Sequence, residues 1–423
     1  MNHHLTTLWM TLLSCGFPLI STAADSPSAA AQAVNALALD LLAKGTEANT
    51  NALMSPYSIQ SALAMTYAGA AGDTRAQMAK TLHYPADETA LHPSFAALQK
   101  ALEEVTKTTA ERAKNAAQRG GPNEAVVLTV ANRLFGQQGY EFLQPFLDRV
   151  KDSYGAPLQM MDFIGKTQQE RLKINGWVED QTHQRIRDLI PASGLTKDTR
   201  LVLVNAIYMK APWADEFPEP ATKPLPFQVK GGESVKVPTM FRLGQMGYGK
   251  RDGYQVINVP YFGNELHLLV LLPDAKDGLA AMEAKLTPEI LSGCANPGTA
   301  ELSLYLPKFK LEPPLFKLGK VLRTLGMANA FDEPKGSANF ERMAPRKPDD
   351  YLYISEVFHK TFLALDEKGT EAAAATAVAM MRATSFIEGP KPIEVRVDRP
   401  FLFAIQHRPS GACLFVGRVT DPR

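Results

Sequence analysis

The chain has almost no excess of charge and very little cysteine. Lys and Arg total 45 against 44 Asp and Glu over 423 residues, a formal net charge of +1. Such a balance argues against a protein whose main task is to grip a phosphate backbone or an anionic membrane, so no nucleic-acid partner is expected. Three cysteines exclude a disulfide-stapled scaffold. Past residue 24 only Cys294 and Cys413 remain. Cys294 lies in LSGCANPG, a turn-like segment expected at the surface, whereas Cys413 in ACLFVGRV reads as a buried strand. A bridge between two such sulfurs is not favoured. Long apolar runs are also missing beyond the N-terminus, where nothing approaches the roughly 18 uncharged residues of a membrane span.

Catalytic motifs are absent too. There is no G-x-S-x-G elbow, no H-E-x-x-H and no C-x-x-C, and the eight histidines show no metal-ligand spacing. The nearest approach is Gly244 to Arg251, GQMGYGKR, which satisfies G-x-x-x-x-G-K. Arg251 stands where a phosphate loop needs Ser or Thr for magnesium, and strands flank the segment, so it reads as a glycine-rich hairpin. No nucleophile, base and oxyanion donor assemble in one motif. Neither an enzyme nor a metal or cofactor is expected.

What is present is a globular composition, 45% hydrophobic, with no internal period and no flexible linker. Helical spacing covers Ala29 to Leu42, and Ser55 to Leu82 reads as two helices broken at Gly69–Asp73. Leu91 to Lys107 is a further amphipathic helix, Arg112 to Glu124 a surface loop, Arg171 to Leu189 a helix, and Leu315 to Leu325 another. Strands are expected at 125–135, 200–213, 235–243, 253–262, 265–273, 301–312, 400–407 and 412–419. Helices in the first third followed by interleaved strands predict a single α+β domain. His359, alone among apolar neighbours in LYISEVFHKTFLALDE, reads as a satisfied core histidine.

The first residues, MNHHLTTLWMTLLSCGFPLISTAADSPS, are mostly apolar from Leu5 to Ile20 and end on the small residues Ser21 to Ala24. This predicts a signal peptide over residues 1–24, a domain over 25–423, and a secreted or periplasmic protein. Leu12 to Gly16 also resembles a lipobox, which makes a lipid anchor at Cys15 the alternative. No Lys or Arg precedes the apolar run.

One stretch remains, Asp366 to Ser385, DEKGTEAAAATAVAMMRATS. Ten consecutive residues between Glu371 and Arg382 carry no charge, six of them alanine. By propensity alone it is a helix, with Thr370 as a cap and Glu371 in the first turn. Alanine offers little area to bury, however, and no stop signal follows before Gly389-Pro390.

At these residues the chain resembles the serpins, over Ala29 to Arg423. Glu367 to Ala377, EKGTEAAAATA, is similar to the hinge of an inhibitory serpin. The blocks SPYSIQSALAMTYAGAAGDTRAQM, INGWVEDQTHQRIRDLI, LVLVNAIYMKAPW, LPKFKLE and DRPFLFAIQHRPSGACLFVGRV agree in the family's order. The likeness is taken as bacterial in type. It implies an α+β serpin fold, metastable, with about nine helices around three β-sheets and an exposed reactive-centre loop at about 367–399. It implies an inhibitor of serine endopeptidases that traps the acyl-enzyme by inserting its cut loop into the main sheet. The partner is then a trypsin-like or elastase-like protease held covalently by a monomer. A non-inhibitory carrier or chaperone, or a cross-class inhibitor of cysteine proteases, is the alternative.

Family roles carry onto matching positions. The hinge is Glu367, Gly369, Thr370, Glu371, Ala372, Ala373, Ala374, Ala375 and Thr376. A polar cluster under the sheet, the shutter, is Ser55, Ser58, Asn205 and His359. The breach, where insertion starts, is Trp213, Lys308 and Glu367. The reactive bond lies within Arg382, Ala383 and Thr384, as Arg382-Ala383 or Ala383-Thr384. Met209 and Ala211 depart from the usual pattern, where Phe and Gly are commoner. Period-2 alternation adds a physical reason for the missing charge. If Thr370 points inward, so do Ala372, Ala374 and Thr376, and small uncharged side chains can enter a sheet without burying an unpaired charge.

Overall fold

Ser28 opens the first helix, its hydroxyl accepting from the Ala31 backbone N–H at 3.3 Å, and the alanines and leucines that follow are largely buried. The computed structural model describes residues 28–118, 124–229, 232–371 and 391–423. In chain order these form α1 (Ala29–Gly45), β1 (Ala52–Met54), α2 (Pro56–Gly69), α3 (Gly72–Thr81), α4 (Leu91–Ala117), β2 (Val127–Gln137), α5 (Gln144–Tyr154), β3 (Leu158–Met161) and α6 (Phe163–Gln181). Next come β4 (Leu201–Pro212), β5 (Lys223–Gln228), β6 (Ser234–Arg251), β7 (Tyr254–Pro260), β8 (Leu266–Pro273), α7 (Leu279–Glu283), α8 (Pro288–Gly293), β9 (Thr299–Pro307) and β10 (Phe309–Leu311). The chain ends through β11 (Phe316–Lys317), α9 (Gly319–Thr324), β12 (Phe358–His359), β13 (Leu363–Leu365), β14 (Gly369–Thr370), β15 (Ile393–Arg396), β16 (Phe401–His407) and β17 (Ala412–Val419).

Nine α-helices among the described residues surround three sheets, as expected. The largest sheet runs β1-β17-β16-β8-β7-β6-β9-β15, with β5 paired to β6. Its strands β8, β16 and β17 are buried at every residue, which explains their continuous apolar runs. The second sheet runs β10-β13-β14-β4-β2-β3, and β11 with β12 makes a two-stranded ribbon.

The second sheet is covered on both faces, and β4 shows how. Val204 and Ala206 pack with Ile174 and Val178 of α6. Ile207, Met209 and Ala211 join the main core, which also holds α1 and α2. Residues two apart share a face, so β4 sends alternate side chains to α6 and to the core.

Several expectations need correction. Helix α4 continues past Lys107 to Ala117, because Arg112 to Ala117 is mostly good helix formers, Asn115 apart, with no breaker before the glycines. The helix expected from Arg171 to Leu189 instead spans Phe163–Gln181, capped by Asp162 at the Gly165 N–H, 2.8 Å. It stops where His183 and Gln184 adopt left-handed φ of 48° and 65°. The glycine-rich 244–251 segment is not a hairpin but the end of the long strand β6, paired with β7 and β9; the turn comes at Asp252-Gly253, where Gly253 has φ 83°. Cys294 is buried rather than exposed, at the end of α8, and both Cys294 and Cys413 are free thiols. Residues 1–24 lie outside the described residues.

Candidate functional site

The residues Asp366, Glu367 and Lys368 turn the chain back from β13 into β14. Asp366 Oδ1 accepts from the Lys368 and Gly369 N–H groups at 2.9 and 3.3 Å, and the Asp366 N–H reaches the Gly369 carbonyl at 3.0 Å. The two-residue strand β14 then wedges between β13 and β4. Thr370 lies opposite Leu365 on one side and Ala211 on the other, and Gly369 lies opposite Pro212. Gly369 has φ 151°, and a Cβ there would stand 2.1 Å from the Ala211 carbonyl oxygen. Only glycine permits so close an approach.

Trp213, Lys308 and Glu367, the residues expected at the breach, meet around this wedge. Lys308 Nζ donates to Glu367 Oε2 at 2.6 Å and Thr222 Oγ1 to Glu367 Oε1 at 2.7 Å. Trp213 donates its backbone N–H to the Lys368 carbonyl and its indole Nε1–H to the Asp366 carbonyl, both at 2.9 Å. Tyr261 stacks on Trp213, centroids 4.5 Å apart and planes within 8°, and its hydroxyl hydrogen-bonds Thr370 Oγ1. Burial alone would raise the Glu367 carboxyl, but the hydrogen bonds from Lys308 and Thr222 outweigh it and hold it below the usual carboxylate range. Thr370 is buried, on the core side.

Of the residues expected to form the shutter, Asn205 lies farther along β4, Ser55 and Ser58 open α2, and His359 lies in β12. Ser55 caps α2: its hydroxyl accepts from the Ser58 N–H at 3.1 Å and donates to the Leu414 carbonyl at 2.6 Å. Its backbone N–H donates to His359 Nε2 at 3.0 Å. Nε2 therefore accepts, which places any imidazole proton on Nδ1. Burial pushes His359 down from 6.5 to about 4, so the ring is neutral at ordinary pH. Ser55, Ser58 and His359 are thus brought together. Asn205 sits in β4 opposite Asn132; its side chain lies outside the described residues.

Among the described residues, β14 is paired to β4 only at Ala211 and Pro212. At the opposite end of β4 a cavity of about 360 Å³ opens. Leu201 and Val204 of β4, Ser58 and Leu63 of α2, and Tyr351 to His359 line it. The expected hinge residues Ala372 to Thr376 and the reactive-bond residues Arg382, Ala383 and Thr384 lie outside the described residues. No group of three His, Cys, Asp or Glu residues among the described residues is placed to hold a metal.

Sequence reasoning missed Tyr261, Thr222 and Arg185. The Tyr261–Thr370 and Thr222–Glu367 contacts span 109 and 145 residues of chain, and no local spacing encodes such partners. Arg185 pairs with Glu371 on the α6 face of the sheet.

The chain matches one family over nearly all of its described length. A family model described as Serpin (serine protease inhibitor) matches residues 32–422. The chain belongs to the serpin family. It is 36% identical to a leukocyte elastase inhibitor of Sus scrofa, over 91% of this chain and 97% of that one. It is 36% identical to a serpin B9 of Homo sapiens, over 88% and 93%. A loop-inserted structure of a cleaved ovalbumin mutant superimposes with a TM-score of 0.76 at 28% identity, covering 93% of this chain and 100% of that one. By this kinship the serpin is a protease inhibitor and not a catalytic enzyme.

These relatives correct two expectations. They come from vertebrates and do not support a bacterial affiliation. They also point away from export, against the expected secretion or periplasmic delivery, with or without a lipid at Cys15. The physical weakness of that expectation is the missing basic n-region, since an apolar run without Lys or Arg before it is only part of a signal peptide.

Proposed function

We propose that this serpin is an irreversible inhibitor of serine endopeptidases, acting as a monomer that traps one protease per molecule. The observation that supports it most strongly is the wedge of Gly369 and Thr370 already paired between β4 and β13. Among the described residues, the sheet has accepted the first two residues of a strand. If the loop continues in that register, Thr376 comes to lie opposite Asn205 on one side and His359 on the other. The small residues between Ala372 and Thr376 then enter without burying charge, and a threonine hydroxyl arrives where the shutter offers polar partners.

The chemistry is that of an interrupted hydrolysis. The protease serine hydroxyl adds to a loop carbonyl, the peptide bond breaks, and the amine of the following residue leaves with a proton. The ester so formed joins the protease to the hinge-side segment, and insertion of that segment drags the protease to the far pole and distorts its active site before the ester is hydrolysed. Arg382-Ala383 suits a trypsin-like pocket bearing a carboxylate, and Ala383-Thr384 suits a small elastase-like one. Relatives named as leukocyte elastase inhibitors favour the second.

Incubation with pancreatic elastase and with trypsin, followed by denaturing electrophoresis, tests the proposal. A band at the summed mass of chain and protease is the expected product. Clean cleavage without that band would contradict it and favour a non-inhibitory serpin.

A further inference from the structure

The turn that ends the wedge is held from outside the sheet. Thr370 is the last described residue paired on both sides. Glu371 still donates its N–H to the Ala364 carbonyl at 2.9 Å, but its φ of 52° departs from the extended conformation of a strand. A non-glycine residue adopts this left-handed conformation only against steric resistance. By the alternation of β4, position 371 belongs to the α6 face, and there its carboxylate forms an ion pair with Arg185. The Glu371 side chain is only 10% exposed.

Arg185 is itself held in place. It follows α6 in the turn where His183 and Gln184 are left-handed, its N–H bonds the Thr182 carbonyl at 3.0 Å, and its guanidinium lies 5.0 Å from the Phe362 ring, next to β13. The other charged or titratable groups near Glu371 are His183, Lys210 and Tyr208. Lys210 is already engaged by Glu124 at 3.2 Å. Unusual backbone on both sides of one ion pair is a reason to look for function there.

We propose that Arg185 is a positioning residue that latches Glu371 in its turned conformation and so arrests insertion after Thr370. For residue 372 to pair with β4, Glu371 must become extended and come to lie opposite Lys210. That change breaks or redirects its pair with Arg185, so the latch opposes the first step of further insertion. An uncut loop is thereby kept out of its own sheet and available to a protease. The biological meaning of the latch rests on the inhibitory reading, but its test does not.

The test uses the whole chain without protease. The Arg185→Gln/Glu371→Gln double variant removes both charges together and leaves neither unpaired. Parent and variant are held below their unfolding temperature, and the growing fraction of heat-resistant, self-inserted monomer is followed. The double variant is expected to convert about fivefold or more faster than the parent. The charge swap Arg185→Glu/Glu371→Arg is expected to return the rate to within about twofold of the parent. A purely structural role would change stability without this reversal. Conversion of the double variant at the parent's rate would overturn the latch, as would a swap variant converting as fast as the double variant. Failure of the parent to trap elastase would sink the inhibitory reading and leave this comparison of rates intact.

Discussion

The two ends of the six-stranded sheet present the same strand β4 in opposite conditions. At the Trp213 end β4 is joined to β13 through β14, and charged, aromatic and backbone contacts converge there: Glu367 with Lys308 and Thr222, Trp213 with Tyr261, and Thr370 with Tyr261. At the Leu201 end the neighbouring wall is the segment Tyr351 to His359, and a cavity of about 360 Å³ lies between. There a neutral histidine accepts from Ser55 at 3.0 Å and Arg200 faces Asp350 at 3.6 Å. Directional bonds close one end, and a cavity with mixed polar and apolar walls lies beside the other. The difference teaches that β4 is joined to its neighbours far more tightly at one end than at the other.

The largest expected effect comes from Thr370→Arg, which places a cation against Tyr261 in the buried wedge. An uncompensated buried charge opposes insertion by several kcal/mol, so the variant should be cut as a substrate, with covalent complex reduced about tenfold or more on denaturing gels. Undiminished complex would mean that the closed end does not nucleate insertion. Next is Glu367→Lys, which sets two cations together and leaves Thr222 without its acceptor. It should lower the stability of the uncut form by about 2 kcal/mol in urea unfolding, and Lys308→Glu in the same chain should recover part of it. Gly369→Ala drives a methyl group into the Ala211 carbonyl and should cost about 1–2 kcal/mol by the same assay.

The smallest effect sharpens the open end. His359 falls from 6.5 to about 4 through burial, so the unfolded chain binds this proton more readily than the folded one. Its contribution to stability is complete above pH 6.5 and is lost as pH falls towards 4. His92, His267 and His407 are lowered in the same direction. His359→Gln should therefore flatten the decline in urea midpoint between pH 7 and 4 without abolishing it. An unchanged slope would show that His359 takes no part.

Much of this arrangement is legible in the residues. Ser55-Pro56 marks the start of α2 because a serine cap followed by proline is a local signal, and β8, β16 and β17 declare their burial by composition. The alternation rests on the condition that Thr370 points inward, and Thr370 is buried against Tyr261. Contacts made across the fold are the part that escapes. Nothing near Tyr261 indicates a stack with Trp213, and nothing near Arg185 indicates a partner in Glu371, because each pair meets only when the sheet forms. The misplaced boundaries of α6 and the buried Cys294 have the same origin: packing decided what periodicity and turn-like composition left open.

The most direct measurement compares the thermal unfolding of the intact chain with that of the chain cut once in its loop by elastase. Completion of the strand begun by Gly369 and Thr370 would fill the open end, so the cut form should melt far above the intact one, by on the order of 20 °C or more. Equal transitions before and after cleavage would contradict the proposal that this sheet waits to receive its own loop.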